Sequence, residues 1–188
     1  MDHQAPSENT NSVADPVRIV SSLGLANGDF VADFGSGHGY FVIPLAQSVA
    51  PNGKVFAIDI QREKLEVTRV KAKLEHLYNI EYIQGDLEQI QGSKLKNERA
   101  DLVIITNILH QAEHKKQIIK EAQRILSTHG RLAIIEWQAE ETSGFGPPRD
   151  MRIAKETAMN LCTAESFLFE KEFDAGSHHY GMLFIKKL

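Results

Sequence analysis

Phe30-Val31-Ala32-Asp33-Phe34-Gly35-Ser36-Gly37-His38-Gly39 is an apolar run of strand length that breaks into a glycine bend. A helix is expected straight after it, from Tyr40 to about Ala50. Glycine permits positive φ and carries no Cβ, so a ligand can lie against the backbone of such a bend. The dinucleotide turn G-x-G-x-x-G needs its third glycine where this chain has Tyr40. That glycine lets strand and helix close around a pyrophosphate. The spacing Gly35, Gly37, Gly39 better suits a ligand with one nucleoside and an amino-acid tail.

Working outward, the same alternation continues in both directions. Upstream, Asp15 reads as an N-cap and Pro16 as a first helical residue, with Val17, Val20 and Leu23 at one-turn spacing and Gly24 as the stop. Downstream, Lys54 to Ile60 is a strand and Arg62 to about Tyr78 a helix, with Leu65, Val70, Leu74 and Leu77 as its expected buried stripe. Ile80 to Gln84 and Asp101 to Thr106 follow as strands. A helix from about Glu113 to Leu126, stopped by Gly130, leads to a strand from Arg131 to Trp137. After a helix from about Arg152 to Glu165, the runs Phe167 to Phe173 and Tyr180 to Lys186 are joined by too few residues for a helical crossover, which predicts an antiparallel hairpin. The whole predicts an α/β fold built on an open, doubly wound, mostly parallel sheet whose ligands sit at the carboxyl edge.

Residues 15–188 are expected to form a single domain. Residues 1–14, with no Lys, Arg or apolar run, are expected to be a disordered tail. Net charge is −4 and the basic residues are scattered, which argues against non-specific binding to nucleic acid or an anionic membrane and favours a small-molecule partner. No apolar stretch approaches membrane-spanning length. The lone cysteine, Cys162, has no partner in the chain, so a reducing, cytoplasmic setting is expected.

Two acidic residues accompany the glycine bend at successive strand ends. Asp59 closes Val55-Phe56-Ala57-Ile58-Asp59-Ile60 and can accept two ribose hydroxyls; Asp86 closes Gln84-Gly85-Asp86-Leu87 and can accept from an exocyclic amine. Ile60 and Leu87 would flank an adenine ring.

With these residues the chain resembles the class I S-adenosylmethionine-dependent methyltransferases, of the small single-domain microbial type, from Phe30 to Lys187. Their first motif is similar to Val31 through Gly39, their ribose-binding acid to Asp59 and their adenine-side acid to Asp86. The resemblance implies a Rossmann-like sheet of order 3-2-1-4-5-7-6 with the last strand antiparallel, and S-adenosylmethionine as cofactor. The cofactor set it implies is Asp33, Gly35, Gly37, Gly39, Asp59, Ile60, Asp86, Leu87 and Asn107. His38 replaces the small residue or Thr common in the family and is not assigned a role.

On the acceptor side, Thr106-Asn107-Ile108-Leu109-His110 leaves the fourth strand where the transferable methyl would lie. The Asn/Asp-Pro-Pro-aromatic motif of enzymes acting on nucleobases is missing, and few hard oxygen ligands stand here for magnesium. His110 and His114 lack the glutamate and third ligand of a zinc site, so no metal is expected. An imidazole titrates near neutrality, which makes His110 the candidate base; Glu136, at the end of the fifth strand beside Trp137, joins it in the candidate catalytic set. Phe145, Arg149 and Arg152 could wall an acceptor pocket. The hairpin loop with His178, His179 and Tyr180 is expected to reach the same edge, where its histidines, as exposed loop residues, are expected to be idle. Two other readings stand beside methyl transfer: a nicotinamide-binding oxidoreductase-like domain using NAD or NADP, and a non-catalytic S-adenosylmethionine-binding module.

Overall fold

A computed structural model describes residues 15–140, 144 and 146–187. The expected tail (1–14) and Phe145 lie outside the described residues. In chain order the elements are α1 (Pro16–Ser22), β1 (Phe30–Phe34), α2 (Val42–Val49), β2 (Lys54–Asp59), α3 (Arg62–Leu74), β3 (Ile80–Gln84), β4 (Ala100–Thr106), α4 (Lys115–Ile125), β5 (Leu126–Trp137), α5 (Lys155–Ala164), β6 (Phe167–Phe173) and β7 (His179–Lys186). The strands form one sheet of order β3-β2-β1-β4-β5-β7-β6. β1 to β5 pair in parallel, and β7 runs antiparallel to both β5 and β6. That is the order and the reversal that the sequence predicts.

Both faces of the sheet are covered, which is why residues 102–105 of β4 and 132–135 of β5 are continuous apolar runs instead of alternating. Along β4, Leu102 and Ile104 join Ile19, Leu45 and Val49 under α1 and α2, while Val103 and Ile105 join Ile118, Ile119 and Cys162 under α4 and α5. Asp15 caps α1 by accepting from the Val17 N–H at 3.0 Å. No helix among the described residues is long and apolar enough to cross a membrane.

Two expectations fail for identifiable reasons. Helix α3 ends at Leu74, not Tyr78; of the expected stripe Leu65 is buried and Leu77, past the helix end, packs against the core, but Thr68 and Ala72 are buried in place of Val70 and Leu74. Val70 is 60% exposed and Leu74 75% exposed. The helix lies so close to the glycine bend that a small face must meet it: Thr68 Oγ1 donates to the Gly37 carbonyl at 3.0 Å. Gly130 does not stop α4, because the chain passes directly from Ile125 into β5 and Gly130 lies within that strand. The β4–β5 register shifts between Ala100, opposite Leu126, and Leu102, opposite Arg131. Gly130 is the close approach inside this bulge, where a Cβ would sit 2.9 Å from the Ser127 carbonyl oxygen.

Candidate active site

The parallel register sets Phe34 beside Ile58 and Asp59 beside Gln84, so β1, β2 and β3 end level with one another. A cleft of about 400 Å³ opens at their carboxyl edge, lined among others by Gly35, Gly37, Asp59, Ile60, Asp86, Leu87 and Asn107. Seven of the nine residues expected on the cofactor side therefore share one cavity. Asp33 and Gly39 lie behind the lining.

The three glycines differ in what they do. All have positive φ, but a Cβ on Gly35 would meet Ile108 Cγ2 at 2.4 Å and one on Gly39 would meet Thr68 Cγ2 at 2.6 Å. Those two are glycines because neighbouring chain segments press on them. Around Gly37 the nearest atom to such a Cβ is 4.0 Å away, so its bare backbone faces open space that a ligand can use.

The bend satisfies its own donors. Gly35 and Ser36 N–H groups donate to the Ile58 carbonyl at 2.9 and 3.0 Å, and Gly39 N–H to the Ser36 carbonyl at 3.0 Å. Gly37 N–H donates to Asp59 Oδ2 at 2.8 Å, while Asp59 Oδ1 accepts from Gln61 N–H at 2.9 Å. Each Asp59 oxygen thus keeps a further lone pair for a hydroxyl. A pyrophosphate needs unspent N–H groups at this turn, and four of the bend's donors are already used. Asp86 follows the same pattern, with Oδ1 accepting from Glu88 N–H at 3.0 Å. Asp33 is buried, and burial first, then the charge of Asp59, pushes its carboxyl up to about 7. A cation beside it would draw that carboxyl back into its charged form.

On the other side of Asn107, the two candidate catalytic residues meet. His110 Nδ1 lies 2.9 Å from Glu136 Oε2, and Glu136 is fully buried. Glu136 Oε1 accepts from Leu109 N–H at 2.7 Å and His110 N–H at 3.3 Å. A carboxylate can only accept, so the ring proton sits on Nδ1 and Nε2 is left as the basic nitrogen. His114, by contrast, is the exposed N-cap of α4, with its N–H donated to Glu88. Among the described residues no group of three or more His, Cys, Asp or Glu is placed to hold a metal ion.

The family model described as a methyltransferase domain matches residues 25–175. The chain belongs to the class I S-adenosylmethionine-dependent methyltransferases. Among relatives of this methyltransferase, a demethylmenaquinone methyltransferase of Lactococcus lactis is 30% identical over 119 residues, covering 63% of this chain and 46% of that protein. A human arsenite methyltransferase is 30% identical over 110 residues, covering 55% of this chain and 29% of that protein. The matched region is therefore less than half the length of either relative. A solved structure, an S-adenosylmethionine-dependent methyltransferase from Aquifex aeolicus, superposes with a TM-score of 0.84 at 23% identity over 95% of this chain and 93% of that one. It extends the likeness of fold to nearly the whole chain.

One residue beside this cleft contradicts the sequence reading. His179 is the first residue of β7 and only 7% exposed, not part of an exposed loop. Its ring packs against Trp137, opposite which it is registered, with centroids 4.1 Å apart, and its Nε2 lies 3.1 Å from Asn107 Nδ2. Burial, then the neighbouring cations, holds its pKa down to about 4. The signal was the reversed strand itself: antiparallel pairing must bring the start of β7 against the end of β5. Of the expected acceptor wall, Arg149 and Arg152 brace the loop after β5, donating to the Ala139 carbonyl at 3.2 Å and the Gln138 carbonyl at 2.8 Å. His38 is exposed, and its carbonyl accepts from Lys71 Nζ at 2.9 Å.

Proposed function

We propose that this chain transfers the methyl group of S-adenosylmethionine to a small molecule, with the cofactor in the cleft at the ends of β1 to β4 and His110 as the base. One observation carries the reading: a glycine bend with its own donors spent, an Asp59 carboxylate with lone pairs to spare and the Asp86 strand end line a single cavity. Asp59 would take the ribose hydroxyls, Ile60 and Leu87 the faces of adenine, and Asp86 its amine. Gly35, Gly37 and Asn107 would border the amino-acid end, with Asp33 behind them compensating its positive charge. The spent donors of the bend count against a dinucleotide, and so against the nicotinamide reading.

When bound, the cofactor supplies a methyl on a sulfonium that is already activated. The protein's work is to place the acceptor in line, exclude water and receive a proton. Held there, the cofactor would supply the methyl as an electrophile to the acceptor's lone pair and would keep the carbon–sulfur electron pair on its sulfur. The acceptor's proton passes to His110 Nε2. Glu136 steadies the resulting imidazolium through Nδ1–H, the orienting role a buried carboxylate plays beside a histidine base.

The two named relatives offer a quinone and arsenite as acceptor classes. Arsenic(III) is a soft centre that favours thiolates. The chain's one cysteine, Cys162, is buried in α5 with its thiol pushed up to about 12 by desolvation. Arsenite is therefore disfavoured, and the same free, unpaired thiol fits a cytoplasmic setting. Incubating the protein with methyl-labelled S-adenosylmethionine and a metabolite extract tests the reading. Label enters a small molecule with wild type and is lost with His110→Ala. A protein that binds the cofactor but labels nothing is a binding module instead.

A further inference from the structure

A second cavity, about 320 Å³, lies beside the first at the ends of β5, β6 and β7. Asn107 lines the first cavity and His179 lines the second. The hydrogen bond between their side chains, 3.1 Å long, is thus a shared piece of both walls. Each partner also keeps one buried polar atom without a hydrogen bond, Asn107 Oδ1 and His179 Nδ1. Buried polar atoms are nearly always paired, and the exceptions concentrate where a ligand supplies the partner. Asn107 is held in the left-handed region at φ 55, a conformation that costs free energy in a non-glycine residue and clusters at ligand sites.

The His179 ring is fixed against Trp137, and Gly146 makes room for that indole: a Cβ there would lie 2.6 Å from the Trp137 ring. The partition is therefore rigid on the β5–β7 side. The second cavity has a chemistry of its own. Glu140, Glu172, Asp174 and Lys155 stand on its walls. Lys155 pairs with Glu172 at 2.9 Å and Asp174 with Arg18 at 2.7 Å, so that Glu140, Glu172 and Asp174 stand against Lys155 and Arg18 with one negative charge in excess among the described residues. An anion entering this cavity meets that charge. A long hydrocarbon finds mostly charged and polar walls, whereas the first cavity offers it Ile60, Leu87, Ile108 and Ile118.

We propose that this second cavity is the acceptor pocket, and that it takes a small, polar molecule that is neutral or cationic, seated against the Asn107–His179 pair. The inference rests on the reading of the first cavity as the cofactor site. It separates this chain from enzymes whose acceptor is a lipid-tailed quinone: the acceptor here donates or accepts hydrogen bonds at the partition and carries no carboxylate or phosphate.

The test fractionates the labelled extract. After reaction with methyl-labelled S-adenosylmethionine, products are split into an organic phase, an aqueous fraction retained on an anion exchanger, and an aqueous fraction that passes through. Label is expected in the last. Label in the organic or retained fraction overturns the inference and leaves methyl transfer standing, while no label in any fraction overturns methyl transfer as well. With the labelled fraction as substrate, Glu140→Lys is expected to raise the acceptor KM about fivefold, an effect that fades at high salt. Its Kd for S-adenosylhomocysteine, measured by calorimetry, should stay within about twofold of wild type, since Glu140 is exposed and does not line the first cavity. An unchanged acceptor KM at low salt would place the acceptor elsewhere.

Discussion

Around the cleft proposed for the cofactor the shape is made by backbone, and around His110 it is made by side chains. Gly35, Ser36, Gly37 and Gly39 follow one another in the chain and bond to the neighbouring β2 and to themselves. On the acceptor side, His110 meets Glu136 across 26 residues and Asn107 meets His179 across 72, and only the register of β4, β5 and β7 brings them together. A site made of contiguous backbone is intolerant of added atoms but forgiving of remote change. A site assembled from distant side chains is tolerant of small additions but fails when one partner is lost.

The first way to break that contrast is to remove a partner. His110→Ala should lower kcat by about 10²- to 10⁴-fold, the usual worth of a positioned base, with the Kd for S-adenosylhomocysteine unchanged. Single-turnover kinetics measure this, and turnover near wild type would mean that the His110–Glu136 pair is structural. Adding an atom to the backbone side should instead cost stability. Gly39→Ala places a Cβ 2.6 Å from Thr68 at φ +82, and urea unfolding should register a loss of about 3 kcal/mol from backbone strain plus overpacking.

How much of this the chain disclosed in advance follows the same division. The glycine bend, Asp59 and Asp86 are local patterns, and they could be read from spacing alone. The partnership of Glu136 with His110 could be suspected, since both end strands on one edge, but its hydrogen bond depends on register. His179 is signalled only by the reversed strand, because whether a hairpin histidine is the last loop residue or the first strand residue is settled by pairing with Trp137, not by local sequence. The exposed Val70 and Leu74 mislead for a related reason: their helical spacing is good, yet the close approach of α3 to the bend selects the small Thr68 and Ala72 for the buried face.

Electrostatics sharpen the comparison further. Asp33 has a folded-state pKa raised to about 7 from 3.8, so its contribution to stability is fully present below about pH 4 and is lost as the pH rises through 7. The ligand-free wild type should lose about 2 kcal/mol relative to Asp33→Asn between pH 5 and pH 7, read from urea midpoints at each pH. Parallel profiles would mean that Asp33 is ionised throughout. An effect of the same size is expected of Asp59→Ala, which should weaken S-adenosylhomocysteine binding by about 2 kcal/mol for a lost charged acceptor. Equal affinity in a calorimetric titration would remove Asp59 from the ribose site.

The most direct test of the cleft itself needs no variant. Wild-type protein is titrated in a calorimeter with S-adenosylhomocysteine and, separately, with NAD. Saturable heat at one site per chain from the first and none from the second is the expected result, because the bend has its donors spent while the acids beside it keep lone pairs to spare. Silence from S-adenosylhomocysteine, or NAD binding that competes with it, would contradict the assignment of the cleft.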